Sequence, residues 1–75
     1  MSNEVAAVEL DPKSAWQHSN EAAQLLVNVR SHLLKGAAKA KSPALSARLE
    51  AYVQIVDTIE FEVRRVLTRL EEEQP

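Results

Sequence analysis

The chain contains no cysteine, a single glycine, three prolines, and one each of tryptophan, tyrosine and phenylalanine. Each shortage excludes something. Without cysteine there is neither a disulfide framework nor a thiolate metal site, so the usual staples of a small secreted domain are missing, which points to a reducing compartment or to indifference to redox conditions. With one glycine, the phosphate loop, the nucleophile elbow and the dinucleotide fingerprint are all absent, because each needs paired glycines at fixed spacing. No stretch approaches the roughly 18 uninterrupted apolar residues of a membrane span. The first ten residues carry Glu4 and Glu9 and no basic residue, which leaves no cationic start for a signal peptide. A cytoplasmic protein without a membrane is the expectation. Nine basic against eleven acidic residues, net −2, is too balanced to make nucleic acid the global partner.

What remains is 75 residues, enough for one domain, in which 45% of the chain is apolar but eleven residues are alanine. A core of that size supplies only ~3–5 kcal/mol unless something reinforces it. The few breakers divide the chain cleanly. Asp11-Pro12 and Ser42-Pro43 each read as an N-cap followed by proline at the first helical position, where the missing N–H costs nothing. Gly36 follows Leu33-Leu34-Lys35, the pattern of a helix ended by glycine with a basic residue near the negative end of its dipole. The spacing therefore predicts an acidic, flexible tail over 1–10 and a single hairpin over 11–75. Its first helix would run from about 12 to 35, its link from 36 to 42 with room for one more helical turn, and its second helix from about 43 to 72.

The second segment has the clearer period. Steps of four and three from Leu45 give Leu45, Leu49, Tyr52, Val56, Ile59, Val63, Val66 and Leu70, a heptad seam without an error. Val53, Ile55 and Leu67 flank it and widen the stripe to the breadth that faces a bundle core. The many β-branched residues alone favour a strand; the period of 3.5 decides for helix. In the first segment the same steps give Ala15, Ser19, Ala22, Leu26, Val29 and Leu33, bordered by Trp16, Ala23, Leu25, Val27 and Leu34. Two such helices with a short link form an all-α antiparallel hairpin. No longer repeat is present, which excludes a solenoid.

At 1.5 Å per residue the second helix spans ~45 Å and the first ~36 Å. One partner helix cannot cover the whole wide stripe, so the hairpin is expected to associate, with itself as a dimeric four-helix bundle or with another helical protein. The residues expected to carry that contact are Val53, Ile55, Ile59, Val63 and Val66 with Leu49, Tyr52, Val56 and Leu70, answered by Leu26, Val29 and Leu33. Phe61 falls away from the seam, among Gln54, Asp57, Thr58, Arg65 and Thr68, and is read either as a lone exposed aromatic or as a second contact. Trp16, at the edge of the first helix near its start, admits the same pair of readings, with a residue packed at the bundle end favoured. Charge adds a direction: no acidic residue occurs between Ala22 and Leu49, where Arg30, Lys35, Lys39, Lys41 and Arg48 gather at the hairpin tip, while both termini are acidic. Stacking two hairpins antiparallel sets each basic tip beside the other's acidic end, a modest preference that salt screens.

Chemistry is sparse. His18 and His32 lie 14 residues apart on one helix, ~21 Å, and cannot share a metal; Glu21, three residues after His18, does not make a zinc pattern. A two-helix hairpin offers no pocket to enclose a carboxylate pair. Neither an enzyme, a cofactor nor a small-molecule substrate is expected. The tip residues Lys35, Lys39, Lys41 and Arg48 suffice for weak phosphate contact, so the alternative reading is a nucleic-acid-associated regulator; the absence of interleaved aromatics and of a basic zipper helix weighs against it. Glu60 with Arg64 and Glu62 with Arg65 stand at i,i+4 and i,i+3 and stabilise a helix without functional message.

The layout from Ala15 to Leu70, a short tail, one helix, a link and a longer apolar helix, resembles the small co-chaperones of type III secretion needle subunits. That resemblance is carried by architecture rather than by a motif, and it implies a hairpin that holds a partner chaperone and keeps a needle protein from polymerising. Gln24-Leu25-Leu26-Val27-Asn28-Val29 and the segment Leu45 to Leu70 are also similar to bacterial helical-hairpin proteins for which no role is implied. The combined expectation is a non-enzymatic adaptor acting by helix packing.

Overall fold

In a computed structural model, residues 11–73 are described, and they form two helices, α1 (Ala15–Lys39) and α2 (Pro43–Glu71), packed against each other as an antiparallel hairpin. The described residues contain no strand. The all-α hairpin expected from periodicity is what the chain forms. The acidic segment 1–10 lies outside the described residues.

Helix α1 begins later than Asp11-Pro12 predicts. Its N-cap is Ser14, whose Oγ accepts from the Gln17 N–H at 3.0 Å while Gln17 Oε1 accepts from the Ser14 N–H at 2.8 Å, a reciprocal capping box. Asp11 instead accepts the Lys13 N–H at 2.9 Å and makes a turn ahead of the helix. The other end also differs. Gly36 does not stop α1: its φ is not positive, and the helix runs on through the alanines to Lys39, closing with the Ala40 N–H on Gly36 O at 2.9 Å. Alanine is the strongest helix former, so Ala37 and Ala38 carry the helix past the glycine. Pro43 limits it there: four residues past Lys39, its ring would clash with the Lys39 carbonyl in a continuous helix and it has no N–H to offer it. Ser42 is extended, and its Oγ accepts the Leu45 N–H at 3.3 Å as the N-cap of α2. The link shrinks to residues 40–42.

The core is narrow. Ala23 is fully buried, with Ala37, Val53 and Leu67 at 5%, 6% and 7% exposure. Along α2 the inward row is Ser46, Leu49, Val53, Val56, Glu60, Val63, Leu67 and Leu70. This is the predicted seam turned by about 50° at 100° per residue: Leu49, Val56, Val63 and Leu70 stay, while Ser46, Val53, Glu60 and Leu67 replace Leu45, Tyr52, Ile59 and Val66. An all-apolar register exists in the sequence, yet the helix turns to one with two polar members. Ser46 is accommodated because its Oγ donates to Ala37 O at 2.7 Å, and Glu60 because its carboxylate accepts from Arg64 Nε at 2.7 Å. On α1 the inward row follows Trp16, Ala23, Leu26, Leu33 and Ala37, so Ala23 rather than Ala22 takes the close contact, and small residues let the helices approach. The radius of gyration is 16.6 Å, against about 11 Å for a compact chain of this length. With a least extent of 15 Å, the molecule is one layer of two helices.

Candidate interaction surface

A single layer has two broad faces, and they differ. One is marked by the Arg30 Nε–Asp57 Oδ1 ion pair at 2.7 Å, which ties α1 to α2 across a shallow open groove also lined by Leu34, Glu50 and Gln54. Val27 and Leu34 reach this face singly among charged neighbours. Phe61 lies on the same side, 62% exposed, with the Arg65 guanidinium 6.0 Å from its ring centre. Arg64 pairs with Glu60 at 2.7 Å and Arg65 with Glu62 at 3.5 Å, as their spacing predicts.

The opposite face is apolar. On α2, Leu45, Tyr52, Ile59 and Val66 repeat every seven residues, and all are between 42% and 53% exposed; Ile55 joins them at 56%. From α1 the same side receives Leu25 and Val29, since in an antiparallel pair residues turned to the same side of the inward row share a face. A groove of about 330 Å³ along this face is lined by Ser19, Ile59, Glu62, Val63 and Val66 and is open to solvent. Seven large apolar side chains on one side of a 63-residue unit exceed the scattered exposure normal for a monomer.

The predicted contact residues therefore separate into groups. Leu26, Leu33, Leu49, Val53, Val56, Val63 and Leu70 are turned inward and hold the hairpin; Val29, Tyr52, Ile55, Ile59 and Val66 are turned outward on one face; Phe61 is alone on the other. Sequence reasoning missed Leu25 as an outward residue, although its place four before Val29 was a signal. Leu67, read as a flank, is among the deepest core residues.

Lys35, Lys39, Lys41 and Arg48 are all exposed at the tip, and none forms an ion pair among the described residues. Arg30, grouped with them by sequence, is engaged with Asp57. At the other end, His18 Nε2 lies 2.5 Å from Asp11 Oδ2 and Lys13 pairs with Glu21. The Lys13 N–H, then the His18 side chain, hold the Asp11 carboxyl below the ordinary carboxylate value, and Glu21 holds the Lys13 ammonium above its own. No three His, Cys, Asp or Glu among the described residues are arranged to hold a metal ion. Trp16 buries its Nε1 without a hydrogen-bond partner among them. No described helix is long and apolar enough to cross a membrane.

No protein-family model, no curated protein and no solved structure matches the chain.

Proposed function

We propose that the protein is a protein–protein interaction module that acts by helix packing, with the apolar face bearing Leu25, Val29, Leu45, Tyr52, Ile59 and Val66 as its working surface. One observation carries this reading: the hairpin buries the inner half of the α2 stripe and leaves a continuous outer half uncovered. Exposed apolar area of this extent is a cost in water unless a partner removes it. The opposite face, with Arg30, Asp57, Glu50 and Gln54, has the polar character of ordinary solvated surface. The chemistry is contact rather than turnover.

The test contrasts the two faces. A tagged chain recovered with its bound proteins from its own cells is compared with Ile59→Asp and Phe61→Asp. Circular dichroism establishes that both variants keep wild-type helicity, as expected for side chains 45% and 62% exposed. The expected result is that Ile59→Asp loses bound protein, whether another chain or further copies of this one, while Phe61→Asp retains it. Retention by a folded Ile59→Asp refutes the assignment.

A further inference from the structure

Resting on the reading of that face as a docking surface, we infer that its occupant is a second copy of this chain, laid face to face with its tip pointing the other way. The support is positional. On α2 the outward row Leu45, Tyr52, Ile59, Val66 is centred between Ile55 and Val56; on α1 the row of the same step is Ala15, Ala22, Val29 and Gly36, and Val29 is its one large apolar side chain. Nothing requires that one large side chain of the α1 row to stand at the height of the α2 row's middle, and here it does. Ser46 Oγ bonds Ala37 O, a Cβ on Gly36 would lie 3.5 Å from Leu49 Cδ1, and Arg30 pairs with Asp57, which together set Val29 level with Ile55 and Val56. A two-fold axis running across the hairpin at that height therefore serves both helices at once. It stacks α1 on α1 and α2 on α2, each pair antiparallel, in the isologous manner of a closed dimer.

The pairs so formed fit in size. Leu45 of one copy meets Val66 of the other, Tyr52 meets Ile59, Val29 meets Val29, and Ala22 meets Gly36. The last explains a glycine that the hairpin does not need. Gly36 has no positive φ, and its missing methyl would make only an ordinary contact with Leu49, so alanine would fit the isolated chain and stabilise the helix. Close approach of a second α1 gives the absent side chain a reason.

Charge selects the same arrangement. Arg48, unpaired within the described chain, comes beside Glu62, whose own pairing to Arg65 is long at 3.5 Å. Lys35, Lys39 and Lys41 come toward the end that holds Glu21 and Glu71 to Glu73. The alternative two-fold, along the helices, stacks α1 on α2 and crowds both basic tips together, where like charges repel.

The chain's lack of cysteine makes the test direct. Light scattering is expected to return twice the 8.4 kDa chain mass. Under mild oxidation Val29→Cys alone should link to its own copy about 10²-fold faster than Phe61→Cys on the other face, because the dimer converts the encounter into an intramolecular one. Mixed Tyr52→Cys and Ile59→Cys chains should link to each other, which keeps the inference testable if Val29→Cys perturbs packing. Three results overturn it: a monomer at high concentration, a dimer linked through Phe61→Cys, or mixed Val29→Cys and Ile55→Cys linking in preference to Val29→Cys with itself. A monomer that still loses a different bound protein on Ile59→Asp overturns the second copy and leaves the docking surface standing; a dimer linked through Phe61→Cys removes both.

Discussion

Val53 and Ile59 stand six residues apart on α2, both β-branched aliphatics, yet Val53 is 6% exposed and Ile59 45%. The residues are chemically near equivalents, so composition and propensity do not separate them. Their difference comes from which way α2 is rolled against α1, and it teaches that this helix carries more apolar width than one partner covers. The inward row makes a hairpin; the outward row is left for something else. Ser46 and Glu60 sit in the inward row, and each keeps a hydrogen bond there, so the roll costs little in unsatisfied polar groups.

A charge placed on each of the two rows separates them most strongly. Val53→Asp buries an unpaired carboxylate in a core that has four deeply buried residues among those described, and should abolish helicity at 25 °C, read by circular dichroism. Ile59→Asp should keep it; equal loss of helicity in both variants would mean the two rows are not distinct. Next in size is the contact that sets the roll. Ala23 is fully buried against α2, and Ala23→Leu should destabilise by ~1–3 kcal/mol through overpacking, seen in thermal melts. Ala22→Leu, one residue away and exposed in the single hairpin, should leave helicity intact while wedging the two copies apart, seen as a lower mass in light scattering.

A smaller effect belongs to the start of α1. Ser14→Ala removes the hydroxyl that accepts the Gln17 N–H and should cost about 1 kcal/mol of stability; Asp11→Ala, at the position first suggested by sequence, should cost less. The smallest effect is in pH. Because the folded Asp11 carboxyl titrates below its ordinary value, its contribution is present above the unfolded value and is lost as pH falls through the folded one. For Lys13, raised by Glu21, the contribution is present below the unfolded value and is lost as pH rises through the folded one. In a carboxyl-detected NMR titration, His18→Ala should move Asp11 only part of the way back, since the Lys13 N–H, the larger cause, remains.

Helix identity was legible throughout, and the Ser42-Pro43 start of α2 to the residue, because capping and proline geometry act within a few positions of the chain. The end of α1 was not legible at Gly36: glycine permits a left-handed stop without requiring one, and the alanines beyond it extended the helix. Of the outward face, Val29, Tyr52, Ile55, Ile59 and Val66 were all picked out by the period, but merged with Val53 and Val63, which serve the hairpin itself. Both groups obey the same period, and a period reports that a stripe exists without reporting its centre.

Two helices, the proline that separates them, a wide apolar stripe on the longer one and a cluster of basic residues about the link each depend on residues near one another in the chain, and local pattern was enough to place them. Which half of the stripe lies inside came instead from the packing of one helix on the other. That choice rests on how closely the small buried side chains Ala23 and Ala37 let α1 approach α2, on the Ser46 bond to Ala37 and on the Arg30–Asp57 pair. These are distances between residues far apart in the chain, and they come into being only when the helices meet.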